Sequence, residues 1–207
     1  MGSNTMAEKQ GTSDWKKLYD NVNPEELPWF SENLDNDLEY ILRKTNIVKG
    51  DVLDIGTGPG TQAIELAGRG FEVTATDISD SAIQKAKERA ALEKRVVKFI
   101  PDDILETKLT DNFDFVFDRG CFHVLPPDRR KDYVKATQEL LKPSGWLFLK
   151  CFSQLEPGDY GPYRLSPEEI RNVFQSPFIV HSIKDTVFIG NQQPPPKALF
   201  CVIQKGS

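Results

Sequence analysis

The sequence is short of the residues that most often carry chemistry by themselves. It has two histidines, His123 and His181, and three cysteines, Cys121, Cys151 and Cys201, in 207 residues. The cysteines are odd in number, widely separated and without metal-ligand spacing, which reads as reduced, partly buried thiols in a reducing compartment. No His-x-x-x-His or Cys-x-x-Cys pair and no G-x-S-x-G elbow occurs, so no metal site and no hydrolase nucleophile is expected. No apolar run approaches the ~20 residues needed to span a bilayer. The polar start has no apolar signal stretch, and Met6 stands where a myristoylation motif needs Ser or Thr. Basic residues are also in deficit: 26 Lys and Arg face 31 Asp and Glu, a formal net charge of -5. That balance offers no basic face for nucleic acid. The expectation is a cytoplasmic chain with no membrane and no nucleic-acid partner, monomeric or weakly dimeric.

What is present is enough to bury one core, with 39% hydrophobic residues and a length that favours one domain with an elaboration. Residues 1 to 13 read as a disordered tail and 14 to 46 as a cover segment and helix. Residues 47 to 207 read as the principal domain. The cover holds Trp15, Tyr19, Trp29 and Phe30, too apolar to float free, and is broken by Pro24 and Pro28. A helical stripe runs from Ser31 through Leu34, Leu38, Ile41 and Leu42 to Asn46. Strands and helices then alternate. Strands are expected at 52–55, 71–76, 96–100, 113–117 and 146–152, with helices at 61–69, from Ser79, at 128–141 and from Ser166. Two last strands, near 178–189 and 198–203, have no helix between them and should pair antiparallel. Repeated β-α units with short connections imply a doubly wound α/β sheet with helices on both faces. Such a sheet binds ligands beyond the carboxyl ends of its strands. Residues 54–60, 77, 101–104 and 118–123 should therefore converge on one crevice.

The stretch DVLDIGTGPG, Asp51 to Gly60, is a buried strand that loses its side chains at Gly56, Gly58 and Gly60, around Thr57 and Pro59. Glycines there permit a sharp turn and a close backbone approach, and the following helix aims amide N–H groups at an anion. Asp77 ends the second strand about 20 residues on, where a dinucleotide fold places its ribose-binding acid; capping the helix from Ser79 is the alternative. The third glycine falls at Gly60, and the dinucleotide fingerprint needs it where Thr61 stands, which disfavours a nicotinamide cofactor.

These pieces, with the third-strand acid in FIPDD and the strand FDFVFD, resemble class I S-adenosylmethionine-dependent methyltransferases over about residues 51 to 204. The resemblance implies a Rossmann-like seven-stranded sheet of order 3-2-1-4-5-7-6 with the last strand antiparallel. It implies S-adenosyl-L-methionine as cofactor, held by Asp54, Gly56, Thr57, Gly58 and Gly60, by Asp77 with Ile78, by Asp103 with Ile104, and by Asp118. The glycine loop would lie against the methionine part, Asp77 would hold the ribose, Asp103 the adenine amino group, and Asp54 the ammonium. FDRGCFHVLPPDRRKDYVKATQELL, then FS…GPYRLSPEEIRNVF, is similar to thiopurine methyltransferases. The pattern of Trp15, Tyr19, Pro28 and Trp29 is similar to that group and to tellurite-resistance methyltransferases. In those relatives the cover closes over the cofactor, which adds Tyr19 and Trp29 to the binding set.

Methyl transfer from a sulfonium needs positioning and water exclusion more than a catalytic dyad. The acceptor side is expected at Asp118, Arg119, Phe122 and His123, with Tyr160, Pro162, Tyr163 and Arg164 as a further wall. His123 is a candidate base or a packed structural histidine. Asp118 and Arg119 are candidate catalytic residues, or pair with each other, or hold the loop. The cover aromatics are a lid or ordinary core, and His181 is a surface or structural residue. The acceptor expected is a small molecule with a thiol or other soft heteroatom. Protein or nucleic-acid methylation, for which the N-P-P-Y or D-P-P-F type of sequence is replaced by DRGC, is an alternative. Nicotinamide-dependent oxidoreduction and cofactor binding without catalysis are the others.

Overall fold

The computed structural model describes residues 12–159 and 161–207. The expected tail therefore lies almost wholly outside the described residues, and Tyr160 lies outside them too. Thr12 and Ser13, expected within the tail, instead begin helix α1, Thr12–Asn21. After it come one 3-10 turn, Pro24–Glu26, with Asn23 as its cap, and α2, Asn36–Thr45. Asp35 caps α2 by accepting the Asp37 N–H at 3.0 Å, so this helix starts five residues later than the apolar stripe alone implies.

Seven strands form one sheet: β1 Asp51–Ile55, β2 Glu72–Asp77, β3 Lys98–Pro101, β4 Phe113–Arg119, β5 Leu141–Phe152, β6 Phe178–Val187 and β7 Lys197–Lys205. Their order is β3-β2-β1-β4-β5-β7-β6. The pairs β1–β2, β1–β4, β2–β3 and β4–β5 are parallel. β7 runs antiparallel to both β5 and β6, as the missing crossover helix requires. Helices α3 Thr61–Gly68, α4 Asp80–Leu92, α5 Arg130–Leu140 and α6 Pro167–Val173 complete the fold. Ser79 caps α4, and Ser166 with Glu169 forms a capping box on α6.

Alternation along the central strands assigns side chains to two separate cores. Val52, Val73, Phe115, Phe117 and Phe148 pack with α2, α3 and α4. Leu53, Val116, Leu147, Leu149 and Cys151 pack with α5 and α6. The first face is bound by a row of rings, Phe71, Phe115, Phe148 and Phe200, spaced 5.5, 5.4 and 6.4 Å. The cover has a third, smaller cluster in which Tyr19, Leu27 and Phe30 meet Ala82 of α4. This layering leaves the carboxyl ends of β1, β2 and β4 together at one edge, under the cover.

Candidate active site

Gly56, Gly58 and Gly60 all take left-handed backbone angles, with φ of 65, 53 and 82°. At Gly60 a Cβ would stand 2.9 Å from the Ala86 Cβ and 3.2 Å from the Phe99 ring, so only glycine lets α3 begin against α4 and β3. At Gly58 a Cβ would stand 2.7 Å from the Tyr19 hydroxyl. The cover thus reaches down to the glycine loop itself.

Asp77, at the end of β2, ties that loop in place. Its Oδ2 accepts the Gly58 N–H at 2.9 Å and its Oδ1 the Ser79 N–H at 2.9 Å. The capping alternative is thus real, yet each carboxylate oxygen keeps a second lone pair for a ligand. Burial raises the Asp77 carboxyl against these amide bonds. Burial also pushes Asp54 up to about 7; the Thr57 hydroxyl opposes this at 2.5 Å, while Asp118 and Asp77 add to it. Asp103 caps the turn Ile104–Glu106, accepting the Leu105 N–H at 2.9 Å, with Ile104 buried. The structure adds a residue that sequence reasoning missed. Cys121 lies against Gly56, its Cβ 3.0 Å from where a Cβ there would stand. Its thiol is raised by burial and then by Asp118, Asp77, Asp103 and Asp54 in turn. Four carboxylates, from the ends of β1, β2 and β4 and from the turn after β3, therefore act on one point.

Three expected catalytic side chains turn out to be otherwise employed. Asp118 is fully buried and accepts from the amides of Gly120, Cys121 and Phe122 and from the Tyr133 hydroxyl at 2.7 to 3.0 Å. Burial still pushes it up to about 6. Arg119 does not pair with Asp118. Its Nε donates to Asp35 at 3.0 Å, and its two terminal nitrogens donate to the carbonyls of Trp29 and Ile189. Both residues hold loops, because the turn after β4 has amides to satisfy and the cover has carbonyls to anchor. His123 accepts the Phe152 N–H on Nδ1 at 2.9 Å. Burial first, then Arg119 and Arg164, pushes its pKa down to about 3. It is a packed neutral ring, edge-on to Phe152 at 4.7 Å and tilted to Phe188 at 5.6 Å, and its free lone pair is already used.

The cover is fastened by a buried charge network. Lys150 on β5, 1% exposed, donates to Asp35 at 2.8 Å and Asp37 at 2.7 Å, and Thr186 donates to Asp37. Burial alone would raise the Asp35 carboxyl, but the Lys150 and Arg119 charges outweigh it and hold it below its ordinary range. Gln62, at the start of α3, accepts the Asp35 N–H at 2.8 Å. On the far side Asn191 donates to the carbonyls of Glu25 and Leu27, and the Gln192 N–H donates to Pro28. Lys85 and Ser81 of α4 hold the carbonyl of Val22 and the carboxylate of Asp20. Tyr19 is buried, whereas Trp29 is 37% exposed and edge-on to Trp15 at 6.0 Å. Of the expected further wall, Tyr163 lies under the Arg130 guanidinium at 5.2 Å, and Arg164 donates to the carbonyls of Glu156, Pro157 and Pro162. His181 bonds Gln204 at an exposed edge, far from the crevice. A groove of about 320 Å³ between Asp51, Glu72, Lys98 and Asp111 lies at the opposite ends of the strands.

The residues present fit a cationic cofactor. Glycines bring backbone close, and a ring of buried carboxylates with raised pKa values suits the positive charges of a sulfonium and an ammonium.

Comparison with known proteins agrees. Residues 52–145 match the family model described as a methyltransferase domain. An uncharacterized methyltransferase of Schizosaccharomyces pombe is 32% identical over 111 residues, 53% of this chain and 77% of that one. Thiocyanate methyltransferase 1 of Arabidopsis thaliana is 26% identical over 161 residues, 77% of this chain and 70% of its own length. Human EEF1A lysine methyltransferase 2 is 36% identical over 132 residues, covering 58% of this chain and 56% of its own. Among solved structures, one titled for the conversion of a disulfide bond into a thioacetal group during echinomycin biosynthesis shares the fold. Its TM-score is 0.83 at 23% identity, covering 94% of this chain and 93% of the other. The chain belongs to the class I S-adenosylmethionine-dependent methyltransferases: it is an enzyme of that fold, with S-adenosyl-L-methionine as cofactor.

Proposed function

We propose that this methyltransferase acts on a small acceptor through a thiol or another soft heteroatom. The observation that carries this reading is the fastened cover. Tyr19 stands over Gly58, and Arg119 joins the cover, α2 and the β6–β7 loop at the carboxyl end of β4. A crevice roofed this tightly by its own chain excludes water and favours an acceptor that fits beneath the roof. The thiocyanate methyltransferase similarity supports the same class.

In this assignment the backbone of Gly56, Thr57, Gly58 and Gly60 lies against the methionine part, with Asp54 toward the ammonium. Asp77 takes the ribose hydroxyls, Asp103 the adenine amino group, and Ile78 and Ile104 flank the adenine. Tyr19 and Trp29 close the roof, and Asp118 fixes the turn that presents Cys121 and His123. The cofactor, when bound, supplies a methyl group on a positively charged sulfur; the chain's own work is to orient it and keep water away. A second reading, methylation of a lysine in a protein, draws on the EEF1A lysine methyltransferase similarity. The test is release of S-adenosylhomocysteine with a panel of thiols, thiocyanate, halides and phenols against one of protein substrates. Turnover confined to proteins would overturn the proposal.

A further inference from the structure

His123 presents a single form to the crevice. An N–H donated by Phe152 needs the Nδ1 lone pair, so the neutral ring carries its proton on Nε2. Nε2 points at the turn after β4, 3.2 Å from where a Cβ on Gly120 would stand. Among the described residues nothing hydrogen-bonds to it. Phe152 and Phe188 flank the ring, and of the charges that act on it Arg119 is already paired with Asp35 and Arg164 donates to carbonyls of the 153–165 loop. An N–H donor set among aromatic rings suits the lone pair of a large, weakly hydrated anion better than an ammonium, and with its one lone pair spent on the Phe152 amide the ring offers no base.

We propose that His123, through Nε2–H, selects an acceptor that arrives already ionised, a thiolate or pseudohalide, and does not ionise it in place. The proposal rests on the soft-atom reading above. The balance needs no base. The anion's lone pair forms the new bond to the methyl carbon, the carbon–sulfonium bond breaks with its pair staying on that sulfur, and the two opposite charges cancel. The thiol's proton goes to solvent before binding. His123 is then a donor whose loss appears in acceptor binding.

The wild-type enzyme gives the first test, with thiocyanate and two thiols whose free pKa values differ by about 2 units. With S-adenosylmethionine saturating at every pH, thiocyanate should give a flat kcat/KM between about pH 6 and about pH 9, and each thiol should inflect at its own free pKa. Inflection of both thiols at one shared pH, fixed by the protein, overturns the proposal. The second test is thiocyanate binding to the S-adenosylhomocysteine complex by calorimetry. His123→Phe should weaken it about tenfold or more, and His123→Gln, which keeps an N–H, should weaken it less. S-adenosylhomocysteine affinity within about twofold of wild type reports an intact fold. Unchanged thiocyanate affinity in a folded His123→Phe variant overturns the proposal. Should the wild type bind cofactor yet neither bind nor methylate any of the three acceptors, the soft-atom reading itself has failed, and this proposal with it.

Discussion

At the residue scale the buried acids decide how the site responds to pH. Asp54 and Asp118 have folded pKa values of about 7 and about 6, above the ordinary carboxyl value near 4. A raised acid binds its proton more tightly when folded, so its contribution to stability falls as pH rises from about 4 through the folded pKa, and is level above it. The apo enzyme should therefore lose stability between about pH 4 and about pH 7 on account of this pair, measured by denaturant unfolding. A cationic cofactor reverses the preference, because it favours the ionised acids. S-adenosylmethionine affinity should rise by up to about tenfold from pH 5.5 to about 8 and release protons on binding. Calorimetry in buffers of different ionisation enthalpy checks this, and Asp54→Asn should flatten the dependence. Asp77→Ala should cost about 1 to 3 kcal/mol of cofactor affinity, since it removes the acceptor of the Gly58 N–H as well as the ribose partner. Unchanged binding would take Asp77 out of the site.

At the element scale the question is what keeps the cover down. Asp35 is the common partner of Lys150 and Arg119, so Asp35→Ala leaves buried Arg119 without a carboxylate, leaves Lys150 with Asp37 alone, and uncaps α2. The expected cost is about 3 to 5 kcal/mol of stability by denaturant unfolding. Asp35 also answers pH in the opposite sense from Asp54. Its lowered pKa contributes stability that is full above the unfolded value near 4 and lost as pH falls through the folded value. Acid should therefore loosen the cover before the sheet, visible as faster hydrogen exchange over α1 and the Pro24–Glu26 turn. Arg119→Ala should produce the same local loosening near neutral pH and weaken cofactor binding.

At the scale of the whole molecule, the crevice position and the antiparallel closing pair were legible from periodicity, from glycines and from the absence of a helix between β6 and β7, and the full strand order came with the resemblance to class I methyltransferases. The expected convergence of 54–60, 77, 101–104 and 118–123 rested on the doubly wound topology alone. Less legible was anything set by contacts distant in sequence. Lys150 falls inside the expected strand 146–152, between Leu149 and Cys151, and nothing near it in sequence names its partners Asp35 and Asp37. The polar character of Asp118 and Arg119 was apparent, but a sequence cannot show that four donors and two distant carbonyls already claim them. His123 likewise carries no sign of the Phe152 amide that fixes its tautomer. A ligand test addresses the assembled fold: S-adenosylhomocysteine should raise the melting temperature and NAD or NADP should leave it unchanged. Stabilisation by a nicotinamide cofactor alone would contradict the cofactor assignment.

The Lys150–Asp35 pair has a consequence for the order of folding. It joins positions 115 residues apart, and Arg119 joins Asp35 across 84. Loop closure of that length is entropically slow, and both cations lie on strands that must already be paired before they can face Asp35. The cover should therefore dock after the central strands assemble. Asp35→Asn would then speed unfolding and leave the refolding rate nearly unchanged, the kinetic signature of a contact absent from the transition state.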